Sequence, residues 1–239
     1  MEQRLKAKMT PCQQMIYNTI SHQLACGVPS ITIIDAMPGS GLSTLMERLK
    51  SLFGATCLYI ATRPALSGLN LLDACYYELG LIGENIAHRA PIPAYVTSLV
   101  SLRPITIVCI EDIDDFAVTL AMKKITVAHL SKLTTAWPNV HFVISQSLLR
   151  SAIDCSIRHR DIIGCHERNE YYLQSFTGES QYIVHLTHVI EVFGLDGVTD
   201  VQLSELHERT QGNLALTMLN LCHPLLRKQR GISRWSQNE

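Results

Sequence analysis

The chain has 239 residues, a length that suits one large domain or an α/β core with a small appended helical domain. Only 17% of the residues are charged against 47% hydrophobic, and the formal net charge is −1, which excludes a globally basic nucleic-acid binder. A charged share below the ~25% of ordinary soluble chains, with positive mean hydropathy, implies apolar surface covered by a partner or by self-association. Eight cysteines occur without a C-x-x-C pair. No signal peptide and no run of about 18 apolar residues is visible, so a cytoplasmic protein without a membrane partner is expected.

Arg4, Lys6 and Lys8 form a basic lead-in. Thr10-Pro-Cys-Gln13 reads as a helix start, with Thr10 as N-cap, Pro11 in the first turn and Gln13 closing a capping box. Met15, Ile16, Ile20 and Leu24 fall on one face of this helix, and Gly27 and Pro29 end it. Ile31 to Ile34 is then a buried strand, followed by a tight glycine turn and a helix through Leu45, Leu49 and Leu52.

That strand-turn-helix has the layout of a phosphate-binding P-loop, G-x-x-x-x-G-K-[ST]. Ala36 takes the first glycine slot, Gly41 the second, Leu42 the lysine slot and Ser43 the hydroxyl slot; Gly39 adds flexibility between them. Pro38, Gly39, Ser40, Gly41, Leu42, Ser43 and Thr44 are therefore the candidate cofactor-binding residues, with Ser43 as a Mg²⁺ ligand. Backbone N–H groups and the positive end of the helix still favour an anion. Leu42 brings no charge to the β- and γ-phosphates, so affinity and transition-state stabilisation suffer. The plain alternative is a glycine-bearing strand-helix junction of any α/β protein.

Ala55 to Ala61 reads as a second buried strand, with Cys57 inside it as a core thiol, and 62–67 as a loop. Leu71, Leu72, Cys75, Tyr76 and Leu79 mark a helix closed by Gly80. Residues 83–94 carry the breakers Gly83, Pro91 and Pro93 and read as a loop; a short helix through Tyr95, Val96 and Leu99 stops at Pro104. Ile105 to Ile110, with the core thiol Cys109, then runs into the acidic cluster Glu111-Asp-Ile-Asp-Asp115. In a P-loop protein this is where one carboxylate orients the Mg²⁺ water shell and the next polarises the attacking water. The usual order is Asp then Glu, and here Glu111 precedes Asp112; both are candidate catalytic residues, Glu111 also a metal ligand. The alternative is a strand end with a solvated acidic loop.

A long amphipathic helix follows through Leu120, Ile125, Leu130, Leu133 and Trp137, with Lys123, Lys124 and Lys132 on its polar side. Val140 to Gln146 is a fourth strand, whose end places Ser145 or Gln146 where a γ-phosphate sensor or a simple polar strand cap would stand. Arg150, Arg158, Arg160 and Arg168 follow; Arg168, just before a short strand Glu170 to Gln174, is the candidate arginine finger. Cys155, His159, Cys165 and His166 match no zinc spacing. From Ser175 the chain turns helical, with helices over 180–193 and 201–209 and a last one opened by Thr210-Gln-Gly-Asn213. The tail Arg227-Lys-Gln-Arg230, with Arg234 and Trp235, is basic with an aromatic, suited to nucleic acid or to solvent.

Thr10-Pro-x-Gln-x-x-Ile16, Met37-Pro-Gly-Ser-Gly-Leu-Ser43, Ile110-Glu-Asp-Ile113 and Thr210-Gln-Gly-Asn213, in this order and spacing, resemble the AAA+ P-loop ATPase superfamily. Within it, the chain is most similar to transposon target-selection ATPases of the MuB, TnsC and TniB type and to their ExeA-like relatives, over roughly residues 10 to 225. The resemblance implies a three-layer α/β core with a parallel sheet over 1–175, and a helical lid and basic tail over 176–239. It implies ATP or ADP with Mg²⁺ as cofactor, weakly held or lost, and homo- or hetero-oligomers with a transposase or recombination factor and DNA as partners. Lids of this superfamily often carry a nucleotide-sensing arginine after such a glycine, where this chain has Asn213, Leu214 and Ala215. With Leu42 and the inverted Glu111-Asp112 pair, that absence implies an inefficient ATPase. The rival expectation is a working ATPase with a substitute cation, Lys50 or one from a neighbouring subunit, or a scaffold in secretion or signalling without DNA.

Overall fold

The computed structural model describes residues 8–61, 69–81, 91–148, 156–164, 166–176, 178–193 and 198–222. The expected loop at 62–67, Arg150, Cys155, Cys165 and the basic tail lie outside the described residues, as does most of the expected loop at 83–94. Contacts divide the chain into two compact units. One takes in Ile16–Ala36 and Arg48–Tyr172; the other takes in Met1–Met15, Met37–Glu47 and Leu173–Glu239.

The larger unit is built on five strands: β1 (Ser30–Ala36), β2 (Cys57–Ile60), β3 (Ile107–Ile110), β4 (His141–Ser147) and β5 (Glu167–Leu173). Their order is β2-β3-β4-β1-β5. β1 pairs with β4, β4 with β3 and β3 with β2, all in parallel. At β5, the Glu167 N–H donates to the Pro29 carbonyl and Leu173 accepts from the Met37 N–H, each at 3.0 Å. β3 and β4 are buried along their whole length, which is why β3 and the Phe142–Ile144 stretch of β4 read as apolar runs rather than as alternating ones.

One sheet face, with Ile31, Ile33, Ile60, Val108, Phe142 and Ile144, joins a single core with α3 (Leu71–Glu78), α4 (Ala94–Leu102) and α5 (Leu120–Ala136). Residues that alternate with these, Ile34, Cys109 and Val143, are buried too, so both faces are covered. α3 starts at a capping box made by Asn70 and Asp73, and Trp137, just past α5, stacks on Phe142 with centroids 6.5 Å apart.

α5 buries Leu130 and Leu133, with Trp137 just past it, as their spacing suggests, but its first two turns turn another face inward. Leu120 and Ile125 are exposed, and the buried stripe is Thr126, His129, Leu130, Leu133 and Thr134. The threonines suit the inside because their hydroxyls find carbonyls: Thr126 donates to Phe116 at 2.6 Å and Thr134 to Ile163 at 2.9 Å. Lys123 pairs with Asp161 at 3.2 Å. β5 begins three residues earlier than its tyrosines suggest, so Arg168 lies inside the strand.

The smaller unit includes the start of α1 (Pro11–Cys26) and, among its described residues, the whole of α6 (Glu179–Phe193), α7 (Asp200–Thr210) and α8 (Leu214–Cys222). The last three enclose Phe176, Tyr182, Leu186, Leu203, Leu206 and Leu221. Inside this cluster the Tyr182 hydroxyl and Thr217 Oγ1 lie 2.6 Å apart, and Thr217 lies 3.1 Å from Thr210 Oγ1. α7 begins at a Thr199–Gln202 capping box and ends with Gln211 and Gly212 in left-handed conformation. A side chain at Gly212 would overlap the Phe176 carbonyl.

His185 of α6 packs its ring 5.1 Å from that of Phe176. Burial, then His188 and Lys8, push its pKa down from 6.5 to about 4. Burial also lowers His141, near His166, and lowers His166 itself. Between pH 6.5 and about 4 the unfolded chain binds a proton that folded His185 refuses, so stability falls as pH drops through that window. We expect the melting temperature to decline from pH 7 to pH 5. His185→Gln should flatten that slope by up to about 1.4 kcal/mol per pH unit; thermal unfolding followed by circular dichroism checks it.

Candidate functional site

The chain leaves the carboxyl end of β1 through Met37 to Gly41 and enters α2 (Leu42–Phe53). Gly39 and Gly41 have φ of 76° and 83°, a region other residues resist. The Ser40 N–H closes the turn on the Met37 carbonyl at 3.1 Å. Four consecutive carbonyls are then taken by donors from elsewhere in the smaller unit. Asn213 Nδ2 donates to the Pro38 carbonyl at 2.8 Å, and the Leu214 N–H to that of Gly39 at 2.9 Å. Gln13 Nε2 donates to the carbonyls of Ser40 at 3.2 Å and Gly41 at 2.8 Å.

In a trans peptide the C=O of one residue and the N–H of the next point in opposite directions. The N–H groups of Gly39, Gly41 and Leu42 each point away from a carbonyl that such a donor holds. They adjoin the first turn of α2, whose N–H groups have no intrahelical acceptor. The Ser40 hydroxyl is buried and meets no partner. Leu42 opens the helix half-buried, Ser43 is exposed and Thr44 half-buried. These N–H groups and hydroxyls, with a helix dipole behind them and no cation in the loop's own sequence, fit a phosphate group by their chemistry.

In the larger unit the polar groups gather where β1, β3 and β4 end. β1 leads to β2 on one side of the sheet and β4 leads to β5 on the other, so the carboxyl ends of β1 and β4 form the topological switch point where open α/β sheets take ligands. Glu111, just past β3, accepts a 2.5 Å hydrogen bond from the Tyr59 hydroxyl. The Lys50 ammonium sits 4.5 Å from the centre of the Tyr59 ring, a cation–π contact. Asp112 is left-handed, with φ 48° and ψ 57°, and its N–H donates to Ser145 Oγ at 3.0 Å. Asp114 is buried and accepts from the Ser147 N–H at 2.5 Å.

The two sensor candidates are both fully buried and engaged within this unit. Ser145 holds the Asp112 backbone. Gln146 exchanges two hydrogen bonds with the Ile157 backbone, at 3.0 and 3.1 Å, and donates to Asp35 Oδ1 at 2.5 Å. Asp35 Oδ2 pairs with Arg158 at 2.9 Å. Arg168 is exposed on β5 and reaches the Ile162 carbonyl at 3.5 Å. His159 and His166 each donate Nε2–H to a backbone carbonyl, of Asn169 and Val140 respectively. Among the described residues no group of three or more His, Cys, Asp or Glu is arranged to hold a metal ion.

Sequence reasoning passed over Asp35, Tyr59 and Asp114, and saw only half of the roles of Gln13 and Asn213. A strand ending in an aspartate just before a glycine turn was the available signal for Asp35. Tyr59 gave none, because a tyrosine within a buried strand reads as core.

No family profile matches this sequence, and no curated protein matches it. Solved structures do. Cdc6p from Pyrobaculum aerophilum superposes with a TM-score of 0.63 at 12% identity, over 94% of this chain and 64% of that one. A Walker-type ATPase of Pyrococcus abyssi gives 0.59 at 13% identity, over 95% and 71%. The Orc1 protein of Aeropyrum pernix, solved in complex with DNA, gives 0.52 at 15% identity, over 91% and 59%. The chain thus spans less than two thirds of the Cdc6p and Orc1 chains. At these identities the likeness is one of fold, and the fold is the α/β P-loop NTPase core of the AAA+ type.

Proposed function

We propose that this protein is a degenerate AAA+ ATPase-like regulator that assembles on DNA or on protein partners, in DNA transposition or a related mobile-element process, with weak or no ATP hydrolysis. The observation that carries the reading is Leu42 at the first position of α2, where a lysine would reach the phosphates, on a loop that otherwise keeps its anion-holding geometry. ATP or ADP would be held by the N–H groups of Gly39 to Thr44 and by Ser40, with Ser43 supplying a hydroxyl to Mg²⁺. The bound Mg²⁺ would neutralise part of the phosphate charge. The resemblance assigns Glu111 to the metal's water shell and Asp112 to the attacking water. The Tyr59 hydroxyl on Glu111 and the left-handed backbone at Asp112 support slow chemistry at those two groups.

Lys50 is poorly suited to replace the missing charge. It stands eight residues beyond Leu42, roughly 12 Å along a helix, and its ammonium is occupied by the Tyr59 ring. Arg158 is paired with Asp35; Arg168, exposed as Arg160 also is, stays the arginine finger candidate toward a neighbouring subunit. The DNA part of the reading is supported by fold neighbours solved on DNA, the Aeropyrum pernix Orc1 protein and Drosophila ORC, the latter with a TM-score of 0.53. The net charge of −1 favours the second reading, a protein-binding scaffold without DNA.

Leu42→Lys should tighten binding of ATP with Mg²⁺ by roughly tenfold or more, the value of one charge-assisted hydrogen bond, as read by isothermal titration. No gain would mean that another cation already serves the loop. Wild-type turnover, with or without DNA, should stay well below ~1 s⁻¹, the low end for working enzymes; a rate near that value overturns the weak-hydrolysis reading. DNA binding should appear at low salt with a negative slope of log affinity against log salt. Its absence across the whole salt range would select the scaffold.

A further inference from the structure

The lid helix α8 and the phosphate loop share hydrogen bonds that involve no ligand. Asn213 is the N-cap of α8: its Oδ1 accepts from the Leu216 N–H at 3.0 Å. The other end of the same amide donates to the Pro38 carbonyl, and the next residue's N–H donates to the Gly39 carbonyl. A helix N-terminus must find acceptors for its first N–H groups, and α8 finds one in the backbone of the loop. Gln13 is built the same way from the other side. Its Oε1 accepts from the Thr10 N–H at 2.8 Å and closes the capping box, while its Nε2 holds the Ser40 and Gly41 carbonyls. Each amide therefore has its oxygen in a helix cap and its nitrogen on the loop. A side chain at Gly39 would overlap Asn213, and one at Gly41 would overlap Gln13.

We propose that Asn213 is the positioning residue that couples the loop to α8, reading the loop's backbone carbonyls where a charged side chain would read a bound phosphate. These hydrogen bonds hold the loop in its shape by protein groups alone. A change of loop conformation on anion binding is passed to α8 through two backbone carbonyls, without a cation. The coupling concerns the loop of the function proposed above, yet it operates without nucleotide. Its test in the ligand-free chain is therefore independent of whether ATP binds.

Hydrogen exchange on the ligand-free full chain, read by mass spectrometry, decides the matter. Asn213→Ser keeps an N-cap of equal quality and removes only the arm that reaches Pro38. Exchange at Ser40 and Leu45, whose N–H groups find the Met37 and Gly41 carbonyls, should quicken by about three- to tenfold, the factor that one net hydrogen bond carries, while α7 keeps its protection. Leu214→Pro removes the N–H on the Gly39 carbonyl at a first helical position, where proline is tolerated, and should act in the same direction. In the reverse sense, Gly39→Ala displaces Asn213 and should quicken exchange in α8. The proposal is overturned if Asn213→Ser and Leu214→Pro leave loop exchange unchanged. It is also overturned if Asn213→Ser alters α8 alone, which would make Asn213 a cap and nothing more. Should Asn213→Ser lower protection everywhere, Leu214→Pro and Gly39→Ala carry the decision by the same two readouts.

Discussion

Four carbonyls in a row, from Pro38 to Gly41, are fixed by donors outside their own turn, and much of the smaller unit is arranged to supply them. Peptide planarity turns this into a statement about the opposite edge, because fixing the carbonyls also fixes the N–H groups. The two positive-φ glycines follow from the same constraint. They satisfy the backbone twist, and they leave room for the two amides that would collide with any Cβ at those positions. An N–H edge prepared in this way loses little conformational entropy when an anion arrives, and it does not depend on a charged side chain for its shape.

The larger unit meets a different requirement. A parallel sheet covered on both faces has to be apolar along its strands, so polar chemistry is confined to the strand ends. There the sequence changes abruptly: Asp35 closes β1, Glu111 and Asp112 follow β3, and Ser145 to Ser147 close β4. Most of these groups serve the fold. Asp114 is buried against the Ser147 backbone, and Gln146 joins Asp35 to the Ile157 backbone. Buried polar atoms carry a desolvation cost unless they are paired, and these pairings meet it. They also take both Nε2 hydrogens of Gln146, which a sensor of bound phosphate would need.

The parts of the fold that were legible in the sequence are those where one local rule dominates. Thr10 to Gln13 announced a capping box, and the capping box is there; Gly27 and Gly80 were expected to end helices and do so with positive φ. The buried strands of Ile31 to Ile34 and Ile107 to Ile110 were plain because nothing but a covered parallel sheet suits such runs. In α5 the inward Leu130 and Leu133 were legible, but the threonines inside and Leu120 and Ile125 outside were not, an exchange that the positions of the Phe116 and Ile163 carbonyls explain. β5 was cut short because Glu167, Arg168 and Asn169 look like loop residues; they are tolerated in a strand whose first four residues are exposed or half-buried. At the site, the glycines and the missing lysine could be read directly. The second arms of Gln13 and Asn213 could not, since a side chain that caps its own helix gives no sign of what else it reaches across 27 or 175 residues of sequence.

What a neutral cradle does chemically follows from magnitudes. A helix N-terminus contributes about half a unit charge, and each N–H adds one hydrogen bond of modest net value. A lysine contributes a whole unit charge at the outer phosphates, where negative charge grows as a phosphoryl group is transferred. Backbone groups fixed in advance stabilise ground state and transition state nearly alike, whereas the missing cation acts mainly on the latter. Under the function proposed above, Leu rather than Lys at position 42 would lower turnover more than affinity. A loop with this pattern is better suited to registering an anion than to cleaving one, and its carbonyl edge is tied to the start of α8 by Asn213 and Leu214.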